Sequence, residues 1–201
     1  RERRFAMPSV TFDSQSFLLD GRRIWIVSGS LCYARMSREQ WADRIHAAKV
    51  AGFNTVETTV VWSRHESRPG HFDFSGDQDI RAFVKLCGAA GMHVILRPGP
   101  YIGADWDLGG IPPWVLGLKD VKLRSANAAF LEACSRYLTA VSEQVRDLQV
   151  TSVGQGGPIL LVQNASPYHV GKANQRKKVV DAAVAATGRS EEHTSELQSR
   201  L

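Results

Sequence analysis

What this chain has little of narrows its reading quickly. It holds three cysteines, Cys32, Cys87 and Cys134. They form no C-x-x-C pair and join no His/Cys cluster, so no metal is implied, and they do not fix a redox compartment. No apolar run approaches membrane-spanning length. No strand is followed by a glycine-rich phosphate loop, which counts against a dinucleotide-binding sheet. Charge of one sign is also scarce: 25 Lys and Arg stand against 20 Asp and Glu, a net +5. The basic residues bunch in Arg1-Glu2-Arg3-Arg4 and Arg176-Lys177-Lys178, read as a solvated terminus and a solvated helix face, so no nucleic-acid partner is inferred.

What is present is a globular chain of 201 residues, 43% hydrophobic, long enough for one domain with a real core. Its first residue is arginine, which leaves any signal peptide outside the sequence and the localisation open. Residues 189–201 are polar and aperiodic and resemble a sequencing adapter translated as if coding. Val10 to Phe12 and Phe17 to Leu19 read as short strands, Asp20-Gly21 as a hairpin turn, and Arg22 to Val27 as the returning strand, with Ile24 to Val27 running into Ser28-Gly29-Ser30 as the first strand of the main sheet. Ser37 with Gln40 predicts a capping box ahead of a helix that stops at Ala51-Gly52. Thr55 to Val61, Val94 to Leu96 and Ile159 to Val162 read as three further buried strands. Helices are predicted over about 77–90, 127–147 and 172–187. A loop from Ile102 to Arg124, rich in glycine, proline and tryptophan, reads as shaped rather than floppy.

The order is therefore a hairpin followed by four β-α units, which implies a parallel sheet with right-handed crossovers. Functional-looking residues follow every strand, while the helix-to-strand turns are plain. That asymmetry favours a β/α barrel. The predicted fold class is α/β, a partial (β/α)8 TIM barrel of about its first four units. Residues 1–22 form the N-terminal segment and hairpin, 23–188 the half-barrel and 189–201 a non-native tail.

The strand ends gather aromatics (Tyr33, Trp62, Tyr101, Trp106, Trp114), carboxylates (Glu57, Asp105, Asp107) and the amides Gln163 and Asn164. Flat rings stack on sugar faces and carboxylates grip hydroxyl pairs, so the composition points to a carbohydrate cleft. Trp62 and Trp114 are equally readable as core. Glu57, inside an apolar strand, needs a partner, and Arg97 on the next strand is the obvious one; the alternative is direct substrate contact. His65-Glu66 reads as a salt-bridged or exposed pair before it reads as catalytic.

Ser28 to Arg35, Gly52 to Thr58, Ile95 to Trp106, Gly109-Gly110-Ile111-Pro112-Pro113-Trp114 and Gly156 to Ile159 together resemble glycoside hydrolase family 35, the family of β-galactosidases, over about residues 17 to 165. The resemblance implies a retaining glycosidase on a β/α barrel, with no cofactor and a β-galactoside substrate. Such enzymes use two carboxyl groups roughly 5–5.5 Å apart, one an acid/base and one a nucleophile. It implies substrate contacts at Tyr33, Glu57, Thr59, Ala104, Asp105 and Asn164. Asp105 stands where the family usually has Glu, and Thr59 where it usually has Tyr. The acid/base glutamate, the second residue of an Asn-Glu pair ending strand four, falls at Ala165, or at Pro167 on a second alignment; keeping Gln163-Asn164 at the strand end favours Ala165. Neither residue transfers a proton. The nucleophile lies beyond this chain. Members are often secreted, periplasmic or lysosomal.

Overall fold

The computed structural model describes residues 9–152 and 156–164. These residues fall into two compact units. The first comprises 9–60, 73–98, 144–152 and 156–163; the second comprises 61–72, 99–143 and Asn164.

The first unit begins with a three-stranded antiparallel sheet of β1 (Val10–Phe12), β2 (Phe17–Leu19) and β3 (Arg22–Ile24). Asp20 and Gly21, at φ 51° and 74°, supply the left-handed pair that closes the β2–β3 turn. Asp13 braces the other end: its carboxylate takes a two-pronged bond from Arg23 at 3.0 and 2.7 Å and bonds from the Gln15 and Ser16 amides. These bonds, Arg23 first, hold the Asp13 carboxyl well below the usual range. The returning strand ends at Ile24 and not at Val27. Asn54 catches the next residues, donating to the Trp25 carbonyl at 2.6 Å and accepting from the Val27 amide at 2.9 Å. The first strand of the main sheet is thus confined to β4 (Ser28–Ser30), the stretch into which the predicted Ile24–Val27 run leads, and Ile24–Val27 is not part of it. Trp25 is left 80% exposed.

The main sheet runs β4, β5 (Thr55–Thr59), β6 (His93–Gly99), β7 (Ile159–Asn164). β4 pairs with β5, and β5 with β6, in parallel. Four strands in sequence order with helical connections is the predicted arrangement. α1 (Trp41–Val50) and α3 (Ile80–Ala89) lie between successive strands. The predicted capping box does not form, because Ser37 makes no side-chain cap bond and instead bonds the Glu39 carboxylate. α3 starts three residues later than predicted, where the Asp79 carboxylate accepts from the Ala82 amide at 2.8 Å. Its buried face is Ile80, Phe83, Val84 and Cys87. Gly157 marks the closest backbone approach in this unit. Its amide donates to Gln149 at 2.8 Å, and a Cβ there would overlap the backbone of Leu148.

The second unit contains α2 (Trp62–His65), most of α4 (Ala128–Val145) and the long loop after β6. Asn127 caps α4 by accepting from Phe130 at 3.0 Å. The loop is shaped as its composition predicts, with a tight left-handed turn at Asp107–Gly110 and a 3-10 turn at Pro113–Gly117. The helix predicted over 172–187 and the tail at 189–201 lie outside the described residues.

Candidate functional site

Strand geometry sets the first cluster. In a parallel sheet the residues at the C-terminal ends line up, and here Ser30 is in register with Glu57 and Thr59 with Arg97. Glu57 and Thr59 are two apart on β5 and therefore share a face. Arg97 donates to Glu57 Oε1 at 2.9 Å, with both side chains about a quarter or less exposed. The predicted Glu57–Arg97 pair therefore forms. Its effect is to fix the carboxylate's direction. The Thr59 hydroxyl donates to Cys32 Sγ at 3.5 Å. The other two cysteines are buried, and burial pushes both thiols up to about 12.

Tyr33 is not part of that cluster. The residues after β4 turn inward through a 3-10 turn, Tyr33–Arg35, and the Tyr33 side chain is fully buried. Its ring lies 6.2 Å from Trp41, edge-on, and 5.6 Å from Phe83. Trp41 and Phe83 meet edge-on at 5.4 Å, and the Trp41 indole donates to the Tyr33 carbonyl at 3.3 Å. Tyr33 is core; no sugar can stack on it. The sequence offered no signal for this, since a tyrosine after a strand reads equally as lining or as core.

In the second unit, the loop after β6 carries the next candidates. Ala104 and Asp105 are exposed and consecutive, while Trp106 is half-buried. Gly103, at φ 148°, lets the Asp105 carboxylate fold back; a Cβ there would stand 2.6 Å from Oδ1. Gly109, at φ 67°, lies directly against the Tyr101 ring, where any side chain would collide. Arg124 covers Tyr101 with its guanidinium 3.9 Å from the ring centroid. Asp107 is exposed at the start of the following turn.

Beneath this loop, the second unit encloses a buried carboxylate that sequence reading placed in a bland pair. Glu66 is fully buried. Its Oε2 accepts from the Trp62 indole at 2.7 Å, and its Oε1 from the Gly70 amide at 2.7 Å and from Arg136 at 3.3 Å. Its backbone carbonyl accepts from the Trp114 indole at 2.8 Å. Trp62 is stacked on Tyr137 at 4.8 Å and meets Trp114 edge-on at 6.0 Å. Of the two tryptophans left open, Trp62 is core and Trp114 is half-buried. His65 is buried as well, so the exposed reading of His65-Glu66 is corrected, while a salt bridge does form, from Glu66 to Arg136. Burial raises the Tyr137 phenol well above its ordinary value, with Cys134 and Glu66 adding to the effect. Trp62, Trp114 and Glu66 thus form a scaffold for the loop, not a sugar platform. The signal that could have found it is spacing: Trp62 and Glu66 stand i, i+4 apart, which faces an indole N–H to a carboxylate across one helical turn.

Asn164 is the last residue of β7, as predicted. The two positions considered for the acid/base, Ala165 and Pro167, lie outside the described residues. Among the described residues no group of His, Cys, Asp and Glu could hold a metal ion, and no helix is long and apolar enough to cross a membrane.

The family model of glycosyl hydrolases family 35 matches residues 16–198. A β-galactosidase from Xanthomonas manihotis is 43% identical over 160 residues, covering 79% of this chain and 26% of that protein. A human β-galactosidase is 38% identical over 162 residues, covering 81% of this chain and 24% of that protein. The chain therefore spans about a quarter of the length of the curated relatives it matches. Among solved structures, an exo-β-1,4-mannosidase from an Opitutaceae bacterium superposes with a TM-score of 0.66 at 18% identity, covering 88% of this chain and 32% of that one. A β-galactosidase from a psychrophilic Marinomonas does so at 0.52 and 17% identity, covering 72% and 22%. At these identities the likeness establishes fold alone, and the fold is that of TIM-barrel glycosidases, of which this chain carries part.

Proposed function

The chain belongs to glycosyl hydrolase family 35, and we propose from that premise that its parent protein is a retaining glycosidase that removes terminal β-galactosyl groups. One observation carries the reading: β-galactosidases align at about 40% identity across about 80% of the chain. Within this reading the family resemblance gives sugar-hydroxyl contacts to Glu57 and Thr59 in the first unit and to Ala104, Asp105 and Asn164 in the second. The Arg97 bond pre-aims Glu57, so that no rotamer freedom is lost when a hydroxyl binds. Asp105 reaches one methylene less than the family's glutamate. The fold-back over Gly103 holds its carboxylate close to the loop backbone. Tyr33, being core, supports the sheet and not the sugar.

The chemical step needs two carboxyl groups flanking the glycosidic bond. This chain supplies neither: Ala165 or Pro167 occupies the acid/base position and the nucleophile lies in the remainder of the parent. Loss of a general acid costs about 10²–10⁴-fold in rate, and the 201-residue chain alone is proposed to be inactive. The same alanine favours a second reading, a galactoside-binding protein that has lost its acid. Sequencing the parent gene across the codons for 163–168, then assaying full-length protein on an aryl β-galactoside, separates the two. A glutamate at 165 or 167 with aglycone release supports the hydrolase. No carboxyl at either codon, with galactose binding by calorimetry and no release, refutes it in favour of the binding protein.

A further inference from the structure

The candidate sugar contacts Ala104 and Asp105 stand on a small closed loop within the second unit. The Ile102 amide donates to the Gly109 carbonyl at 2.9 Å, so residues 102–109 begin and end at one point. Inside the loop the Gly109 amide donates to the Trp106 carbonyl at 2.8 Å. Asp105 itself is exposed, so the loop's direction is decided at its base. That base is packed. Ile102 is 4% exposed, and a Cβ on Gly110 would stand 3.0 Å from Ile102 Cγ1 and 3.6 Å from Val61 Cγ1.

A stiff run joins the base to Trp114. Gly110 is followed by the buried Ile111 and then by Pro112 and Pro113, whose rings fix φ. Trp114 comes next, in the turn Pro113–Gly117, which the Val115 amide closes on the Pro112 carbonyl at 3.1 Å. Val115 is fully buried. The Trp114 ring is only half-buried, and its indole donates at 2.8 Å to the backbone carbonyl of Glu66. That carbonyl is a fixed point, because the Glu66 side chain is held by Trp62, Gly70 and Arg136. Two prolines absorb little rotation, so a shift of Trp114 passes to Gly110. From there the Ile102–Gly109 bond carries it to the loop that bears Asp105.

We propose that Trp114 is a positioning residue for galactoside binding: its bond to the Glu66 carbonyl sets where Asp105 stands, and so sets sugar affinity without touching the sugar. The inference rests on the reading that Ala104 and Asp105 hold sugar hydroxyls. A carboxylate–hydroxyl bond weakens steeply with distance and angle, so a small displacement of the base is enough to weaken it.

The test measures galactose Kd by calorimetry on the full-length parent protein. Trp114→Phe removes the N–H and keeps an aromatic ring for Trp62, 6.0 Å away, and for Arg136, 5.6 Å away. It is expected to weaken binding about three- to tenfold. Asp105→Ala weakens binding as well. The variant carrying both changes should bind within about twofold of Asp105→Ala alone, since nothing is left to position. A Trp114 with a merely structural role would weaken binding equally with and without Asp105. Losses that multiply, or a Trp114→Phe Kd within about twofold of wild type, therefore overturn the proposal. Should Trp114→Phe fail to fold, Pro113→Gly replaces it. The Pro113 ring is exposed, so its removal leaves the core intact while loosening the run to Gly110. Weaker binding that disappears in the Asp105→Ala background supports the proposal, and unchanged or multiplying losses overturn it. A wild type that binds no galactose, or an Asp105→Ala variant that binds as tightly as wild type, overturns the underlying reading and this inference with it. Those two measurements involve neither Trp114 nor Pro113, so the two failures are told apart.

Discussion

Replacing Glu66 by glutamine in the parent protein should destabilise the region around α2 and the loop after β6 by more than any change to its cationic partner. The carboxylate is fully buried and takes three donors: the Trp62 indole and the Gly70 amide at 2.7 Å each, and Arg136 at 3.3 Å. A glutamine offers one acceptor oxygen and one NH2. If the oxygen faces Gly70, the NH2 opposes the indole N–H; flipped, it opposes the amide. Either way one donor of the scaffold and one of the new side chain are left unmade, at about 1–3 kcal/mol each, or about 2–6 kcal/mol together. Arg136 differs, because its side chain is 42% exposed and makes the longest of the three bonds. In Arg136→Met the carboxylate keeps two close N–H donors, so the loss should be less than half that of Glu66→Gln. Urea unfolding followed by tryptophan fluorescence measures both, and near-UV circular dichroism reports whether Trp62 keeps its ordered setting. A Glu66→Gln variant within about 0.5 kcal/mol of wild type, the scale of an inconsequential surface change, would refute the accounting. So would an Arg136→Met variant that loses as much, since the ion pair and not the orphaned donors would then dominate.

Gly157→Ala places a Cβ inside the backbone of Leu148, which cannot step aside as a side chain could, so a loss of at least about 3 kcal/mol or failure to accumulate soluble protein is expected; near-normal urea stability would sink the packing argument. Asp147 forms a two-pronged bond with Arg81, 2.6 Å on each arm, which lowers its carboxyl to about 2. A depressed acid stabilises the fold above its unfolded pKa of 3.8 and loses that contribution as the pH falls towards about 2. Asp147→Asn should therefore be less stable than wild type at pH 6, and the gap should close between pH 4 and pH 2. Because Asp147 is 56% exposed, solvent screening keeps the gap below about 1 kcal/mol, and a gap that persists at pH 2 contradicts the pairing.

The fold was legible wherever one physical requirement dominated. Ile159 to Val162 had to be a buried strand because nothing but burial rewards a continuous apolar run. Asp20-Gly21 had to be a tight turn because the left-handed pair demands those residues. Legibility failed where local signals competed. Arg22 to Val27 reads as a strand that runs on into Ser28-Gly29-Ser30, and residue types do not say that Asn54, distant in sequence, catches the chain at Trp25 and Val27 and separates β3 from β4. Ser37 and Gln40 spell a capping box, yet the Ser37 hydroxyl turns to Glu39, a stronger acceptor close at hand.

The site divides along the same line, and two glutamates show why. Glu57 sits in an apolar strand with a single basic residue at the end of the next one, so its partner could be named from register alone. Glu66 follows a short helix in a polar stretch with arginines at 64 and 68, so a surface pair was the economical reading. Its real partners are an indole one turn back, an amide four residues on and an arginine seventy residues away on α4. No local pattern encodes the last of these. A buried acid that faces only protein donors has no free lone pair aimed at solvent, whereas Glu57 Oε1 is engaged and its side chain, at the middle of β5, remains 26% exposed. We propose from this partial exposure that Glu57 serves the ligand, whereas Glu66 belongs to the frame. The assignment predicts opposite outcomes for the conservative swap: Glu57→Gln should weaken galactose binding with little loss of urea stability, and Glu66→Gln should lower stability first. Calorimetry beside urea unfolding on the same two variants checks it, and a reversed order would exchange the two roles.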